Sequence, residues 1–464
     1  MKRRGTITAL AVGAAAVAAV ASTVVANGSP GRSNAESEIE RALHDHHPTN
    51  VIVLIGDGMG TQEITAARYY QGVNHKLNVD RMPLTGFDTT WSVKPGARAP
   101  YLPDYDPDSA STGTMWATGV KTLDERISQG PSTSVDVPGR NAESVMEKAR
   151  KRGMKVGNVS TAEITDATPA VQSAHISLRG CQGPGDMGAC EKETKDVGGL
   201  GSIAEQEVDH HLDVLLGGGR ARFEQKITGG RDKGRTVVDA AKRQGFQYVT
   251  DAAGLRHVND RAPVLGLFNP STMSVEWAGP AATLGKGNAP VPCTENQRPA
   301  NEPSLADMTS TAIKLLDNRK GFFLQIEGAS IDKQDHATNA CGQLGETVAF
   351  DEAIGVALDY QRSHPDTLVV VTADHSHTSQ IVSEDAGGSG LPTGYSTNVV
   401  TKDGQTLTLT YGTSGFGGDG KAPVAAAPSQ QHTGATVPVW GIGPNATEIL
   451  GTNDHTDLFH TLGG

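Results

Sequence analysis

Asp332 and His336 stand four residues apart, so on one helical turn their side chains emerge on the same face and could grip a single metal ion. A capped helix on a solvated loop would show the same pair, because acids are common at helix starts. Repetition gives the pair its weight: Glu327 lies just upstream, Asp57 sits in Gly56-Asp57-Gly58, Asp374-His375-Ser376-His377 repeats the acid-plus-imidazole theme, and His432 follows later. The imidazoles of His336, His375 and His432 with the carboxylates of Asp57, Asp332 and Asp374 suit two borderline-soft zinc ions. Glu327 and the Thr168 hydroxyl are oxygen donors of the kind magnesium prefers, so three metals are a natural count.

A nucleophile and an anion clamp are also legible. Ser109 follows Asp108 in Asp108-Ser109-Ala110-Ser111-Thr112-Gly113, a run that reads as a helix N-terminus capped by Asp108. Hydroxyls are ordinary there. The small neighbours leave this one open, and a helix terminus stabilises an oxyanion or a phosphate ester. No Gly-x-Ser-x-Gly elbow surrounds Ser109, so a metal holding the alkoxide is the natural activator. Pro169 is expected to hold Thr168 extended with its hydroxyl outward. Arg179 comes just ahead of Cys181; a braced guanidinium beside acids can clamp a tetrahedral dianion through two parallel hydrogen bonds, where a plain surface arginine would only solubilise.

These residues must be positioned by strands. Val51–Ile55 and Leu368–Val371 are uninterrupted apolar runs and Phe322–Ile326 is one broken only by Gln325, and each leads to an acidic or acid-plus-imidazole group. Open α/β sheets carry their ligands at the carboxyl ends of strands, where loops converge over a crevice. Helical faces at 61–70, 143–152, at Leu305, Met308, Ala312, Ile313 and Leu316, and at Phe350, Ala353, Ile354, Ala357 and Leu358 alternate with further strands at 156–159, 213–216, 263–268 and 437–442. The predicted fold is therefore α/β, a large central mostly parallel sheet flanked by helices. Residues 50–464 read as one domain, because cutting between Asp57 and His432 would dismember the site. Within it, 384–431 reads as an insertion over the crevice, with a hairpin around Asp403-Gly404 and a Gly/Pro/Ala stretch at 415–428 expected to be mobile.

Composition bounds the function classes. Glycine is 56 of 464 residues, about 12% against a usual ~7%, which points to many loops. Residues 1–26 read as a secretion signal, with Lys2-Arg3-Arg4, an Ala/Val-rich core and Val24-Val25-Ala26 before the cut. The paired arginines allow a twin-arginine route, and no charged stop-transfer flank follows, so no stable membrane anchor is expected after removal. Losing Lys2, Arg3 and Arg4 takes the formal charge from −12 to −15, which excludes a general nucleic-acid-binding surface. Residues 27–49 read as a polar arm carrying His44-Asp45-His46-His47, more naturally solvated than metal-bound. Four cysteines with no Cys-x-x-Cys fit two disulfides in an oxidising compartment; of three pairings the economical one joins Cys181 to Cys190 and Cys293 to Cys341.

Taken in order, Asp57-Gly58, Asp108-Ser109-Ala110, Asp166-Ala167-Thr168-Pro169, Glu327 to His336, Asp374-His375 and His432-Thr433-Gly434 resemble the secreted bacterial alkaline phosphatases, from about Asn50 to the C-terminus. The resemblance implies one zinc on Asp332, His336 and His432, a second on Asp57, Asp374 and His375, and one magnesium on Asp57, Thr168 and Glu327. It further implies Ser109 as the phosphorylated nucleophile, Arg179 on phosphate oxygens, Asp166 and Lys333 contacting phosphate or magnesium through water, His377 supporting a zinc ligand, and a homodimer outside the cytoplasm. The expected activity is hydrolysis of small phosphate monoesters. Departures, among them Ser111 where alanine is common, lie mainly outside the chemistry. The rival readings are a phosphodiesterase or sulfatase on a related sheet and a non-catalytic phosphate or zinc scavenger; the latter would need no nucleophile.

Overall fold

The computed structural model describes residues 47–384, 394–414 and 429–464, with Ile39 and Ala42. The signal segment 1–26, nearly all of the arm including His44 to His46, and the stretch 415–428 lie outside the described residues. Among the described residues no helix is long and apolar enough to cross a membrane.

Ten strands form the main sheet: β1 (Asn50–Gly56), β2 (Leu84–Thr89), β3 (Lys155–Glu163), β4 (Val214–Gly218), β5 (Gln247–Val249), β6 (Val264–Leu267), β7 (Phe322–Gly328), β8 (Thr367–Ala373), β9 (Val437–Ile442) and β10 (Gly451–Asp454). Their order is β10-β2-β9-β8-β1-β7-β3-β4-β6-β5. All pairings are parallel except those of β9 with β8 and β2. The predicted class, a mostly parallel sheet flanked by helices, is the one observed.

The apolar runs are continuous because both faces of the sheet are covered. Val51, Val53 and Ile55 of β1 pack into one core with Ala110, Trp116 and Val145, whereas Ile52 and Leu54 pack into the other with Leu305, Met308 and Phe350. Successive side chains of a strand point to opposite faces, so each core takes every second residue. The covering helices include α1 (Thr61–Gln71), α2 (Ser109–Thr118), α3 (Val145–Lys151), α4 (Ala167–Ala170), α5 (Leu305–Leu316), α6 (Ser330–His336) and α7 (Ala340–Ser363). One buried polar side chain crosses between layers. Gln325 in β7 accepts hydrogen bonds from Trp116 Nε1 (3.0 Å) and Gln172 Nε2 (2.8 Å), and donates to the Thr168 carbonyl (2.7 Å).

The expected hairpin forms from Tyr395–Val400 and Thr406–Tyr411, turning through Gly404 at φ 78°. With Ser379–Val382 and Thr283–Leu284 it makes a second, four-stranded sheet whose apolar residues pack with Ala67 and Tyr70 of α1 and Leu344 of α7. Both disulfides follow the economical pairing, Cys181–Cys190 and Cys293–Cys341, with sequence separations of 9 and 48. Replacing Cys293 and Cys341 by serine is expected to cost about 4 kcal/mol and the shorter bridge roughly 3 kcal/mol, by loss of loop closure in the unfolded chain. Urea midpoints of the two double variants would check that order.

Candidate metal-dependent active site

Register places the site. Ile55 of β1 lies level with Glu327 of β7 and Thr372 of β8, so Asp57, Glu327 and Asp374 arrive together at the carboxyl edge of three neighbouring strands. Gly58 makes this possible at φ 67°, and its amide donates to Asp374 Oδ1 at 2.9 Å, tying the β1 and β8 loops together. Asp332 and His336 do share a face, on the short helix α6 that follows β7.

Two groups of candidate ligands converge, each within 4.8 Å: Asp332, His336, His377 and His432, and Asp57, Asp332 and His375. Asp332 Oδ1 is the hub, 2.6 Å from His377 Nε2 and 3.3 Å from both His336 Nε2 and His432 Nε2. His375 Nε2 lies 3.2 Å from Asp374 Oδ2, 3.5 Å from Asp57 Oδ1 and 3.3 Å from Ser109 Oγ. Ser109 thus faces the second group from the first turn of α2, which Asp108 caps through Ser111 N–H at 2.9 Å.

The donor set fits metal ions on its own chemistry. His336 Nδ1 sits 2.7 Å from the Gln430 carbonyl and His432 Nδ1 3.1 Å from that of Pro107, so each ring donates there and turns the lone pair of Nε2 inward. Those two Nε2 atoms are 2.9 Å apart. A proton on one ring, which Asp332 favours on His432 against the effect of burial, or a cation between the two reconciles that spacing. Asp57 Oδ1, Asp374 Oδ2 and Thr168 Oγ1 are likewise buried without a hydrogen-bond partner. Burial, with Asp374 and Asp332 nearby, pushes the Asp57 carboxyl well up, and burial raises Glu327 to about 7. Burial and the neighbouring His432 hold His375 well below the ordinary imidazole value, in its neutral, ligating form. Crowded acids of this kind call for positive charge.

Thr168 differs from expectation. It lies inside the helical turn α4, with Asp166 as cap, not in an extended segment. Proline is tolerated in a first turn, where its missing N–H is not needed, and the cap outweighs the bias on the residue before it. The Thr168 hydroxyl is buried without a hydrogen-bond partner, and its carbonyl accepts from Gln325, two residues before Glu327 on β7. Glu327 accepts a short hydrogen bond from Ser160 Oγ.

Arg179 and Lys333 form the cationic side. Arg179 donates from Nη1 to Asp108 Oδ2 (3.2 Å) and from Nη2 to Asp166 Oδ1 (2.9 Å), while Lys333 Nζ is 2.7 Å from Asp166 Oδ2. Burial alone would raise the Asp166 carboxyl, but Lys333 and Arg179 hold it well below the usual range. Asp57, Ser109, Asp332, His336, Asp374, His375, His377 and His432 therefore converge, Glu327 reaches the same strand edge, and Asp166, Arg179 and Lys333 form a linked group joined to the Ser109 turn through Asp108. Sequence reading missed Asp108 as the second holder of Arg179, and Gln430 and Pro107 as holders of the rings. It also missed Asp124, whose Oδ1 accepts from Ser111 Oγ and Ser92 Oγ, both at 2.9 Å. Carbonyl partners leave no trace in residue type.

Over residues 48–422 the sequence matches the family described as alkaline phosphatase. The chain belongs to the alkaline phosphatase family. It is 45% identical over 424 residues to a streptomycin-6-phosphate phosphatase of Streptomyces griseus, covering 89% of each chain. It is 44% identical over 432 residues to an alkaline phosphatase of Escherichia coli, covering 91% of this chain and 86% of that one. The solved alkaline phosphatase of Thermus thermophilus shares the fold, with a TM-score of 0.64 at 20% identity over 94% of this chain and 95% of that one. Alkaline phosphatases hydrolyse phosphate monoesters in a metal-dependent reaction, and this chain is a metal-binding phosphomonoesterase of that family.

Proposed function

We propose that the chain hydrolyses phosphate monoesters through a phosphoserine at Ser109, with two zinc ions and one magnesium. The observation that carries this is the approach of Ser109 Oγ to His375 Nε2, which aims the nucleophile and the second ligand group into one space. Asp332, His336 and His432 would hold one zinc, Asp57, Asp374 and His375 the other, and Asp57, Thr168 and Glu327 the magnesium, with His377 fixing Asp332. Zinc bound there supplies Lewis acidity, lowering the pKa of the serine hydroxyl and of a water and offsetting charge on the departing oxygen.

The chain's own residues do the rest. Arg179, held in plane by Asp108 and Asp166, offers its remaining N–H groups to two phosphate oxygens. The N-terminal end of α2 adds positive potential at Ser109. Ser109 Oγ attacks phosphorus as the ester P–O bond breaks, and the alcohol leaves with a proton. Water then attacks the phosphoserine, the Oγ–P bond breaks, a proton from that water returns to Ser109 Oγ, and inorganic phosphate departs. Lys333 and Asp166 orient water beside the phosphate and the magnesium ligands.

Residues 50–464 would form the catalytic domain, with 384–431 as its insertion. The N-terminal signal pattern and the two disulfides support a secreted or periplasmic protein, and the family resemblance supports a homodimer. An aryl phosphate is the substrate that tests the reading, with metal analysis of the same preparation. Preference for a bis-aryl phosphate would instead favour a phosphodiesterase. Arg179→Ala is expected to lower kcat/KM for the monoester by about 100-fold, with much of the loss in KM, because two bonds to a dianion disappear.

A further inference from the structure

Chemistry centred on phosphate does not choose the alcohol, so selectivity must come from the rim. The segment 104–107 is laid against the strand that carries His432. Pro107 accepts the hydrogen bond from His432 Nδ1, and a Cβ on Gly434 would meet the Tyr105 carbonyl oxygen at 1.7 Å, which means direct backbone contact. Tyr105 is 69% exposed there, and Asp106 beside it is exposed as well. Partial burial pushes the Asp106 carboxyl up, with Asp104 adding to the shift and His432 opposing it. Lys121 pairs with Asp454 at 3.0 Å, and Arg179 and Lys333 pair with Asp166. Among the described residues none pairs with Asp106.

A bare carboxylate at this position repels an ordinary phosphate dianion and slows its arrival. It helps only a substrate whose other end is positive. We propose that Asp106 and Tyr105 form a leaving-group subsite that selects phosphate monoesters whose alcohol carries an ammonium or guanidinium charge. The carboxylate attracts that charge and the exposed ring offers it a π face, on the side where His432 stands. This inference rests on the phosphomonoesterase reading above.

The test compares phosphocholine with 3,3-dimethylbutyl phosphate, its uncharged isostere, on the metal-loaded full chain. Because the ammonium also makes choline an intrinsically better leaving group, the deciding quantity is how the ratio of the two kcat/KM values changes. At low salt that ratio is expected to fall roughly 5-fold in Asp106→Asn and about 2- to 3-fold in Tyr105→Ala, and to fall in the unaltered protein at about 1 M salt. Each ratio is taken on one preparation, so a partly folded variant does not distort it. A ratio unmoved by Asp106→Asn and by salt overturns the subsite while leaving the phosphatase intact. Failure to cleave the aryl phosphate and both esters sinks the phosphomonoesterase reading and the subsite with it.

Discussion

Replacing Ser109 by alanine is expected to lower kcat for an aryl phosphate by roughly 10³-fold or more, because the variant loses the atom that receives the phosphoryl group. The ligand groups should survive the change. Ser109 is buried at the head of α2, but the cap that shapes this turn runs from Asp108 to Ser111, not through the Ser109 hydroxyl. Zinc content should therefore stay near that of the unaltered protein. Two readouts separate the nucleophile from a group that merely lines the site. Acid quenching of the unaltered protein with radiolabelled phosphate should trap label on Ser109, and the alanine variant should trap none. Turnover within tenfold of the original, or label on another residue, would show that the phosphoryl group passes elsewhere.

Chelation is expected to reduce hydrolysis to background and to lower the thermal midpoint by roughly 5 °C, since ligands bound only by the folded chain stabilise it by mass action. The instability has a specific source. Without cations, Asp57, Asp374 and Glu327 remain buried near one another at an electrostatic cost. Adding zinc together with magnesium should restore both activity and midpoint. Magnesium alone should not restore activity, because imidazole-rich groups favour the softer ion. Full turnover by a preparation stripped of metal would contradict the assignment of both histidine groups.

Much of this was legible along the chain. The runs Val51–Ile55, Phe322–Ile326 and Leu368–Val371 are apolar at every position except Gln325, and two-sided burial is what such runs require, so the sheet and its loaded edge followed from residue order. The Asp332–His336 pair, the Asp108 cap and the economical cysteine pairing are likewise local patterns, set by helix spacing and chain closure. What only the tertiary structure decided lies between residues far apart. The Pro107 carbonyl that fixes the tautomer of His432 is 325 residues away in sequence, and Ser109 stands 266 residues from His375. Thr168 took a helical turn against the bias of the proline behind it, because Asp166 caps that turn and Gln325 holds its carbonyl. Local spacing determines which side chains share a face of one element. Which face meets which neighbour depends on packing the whole sheet, and that packing sets the position of Ser109 relative to the candidate ligand groups.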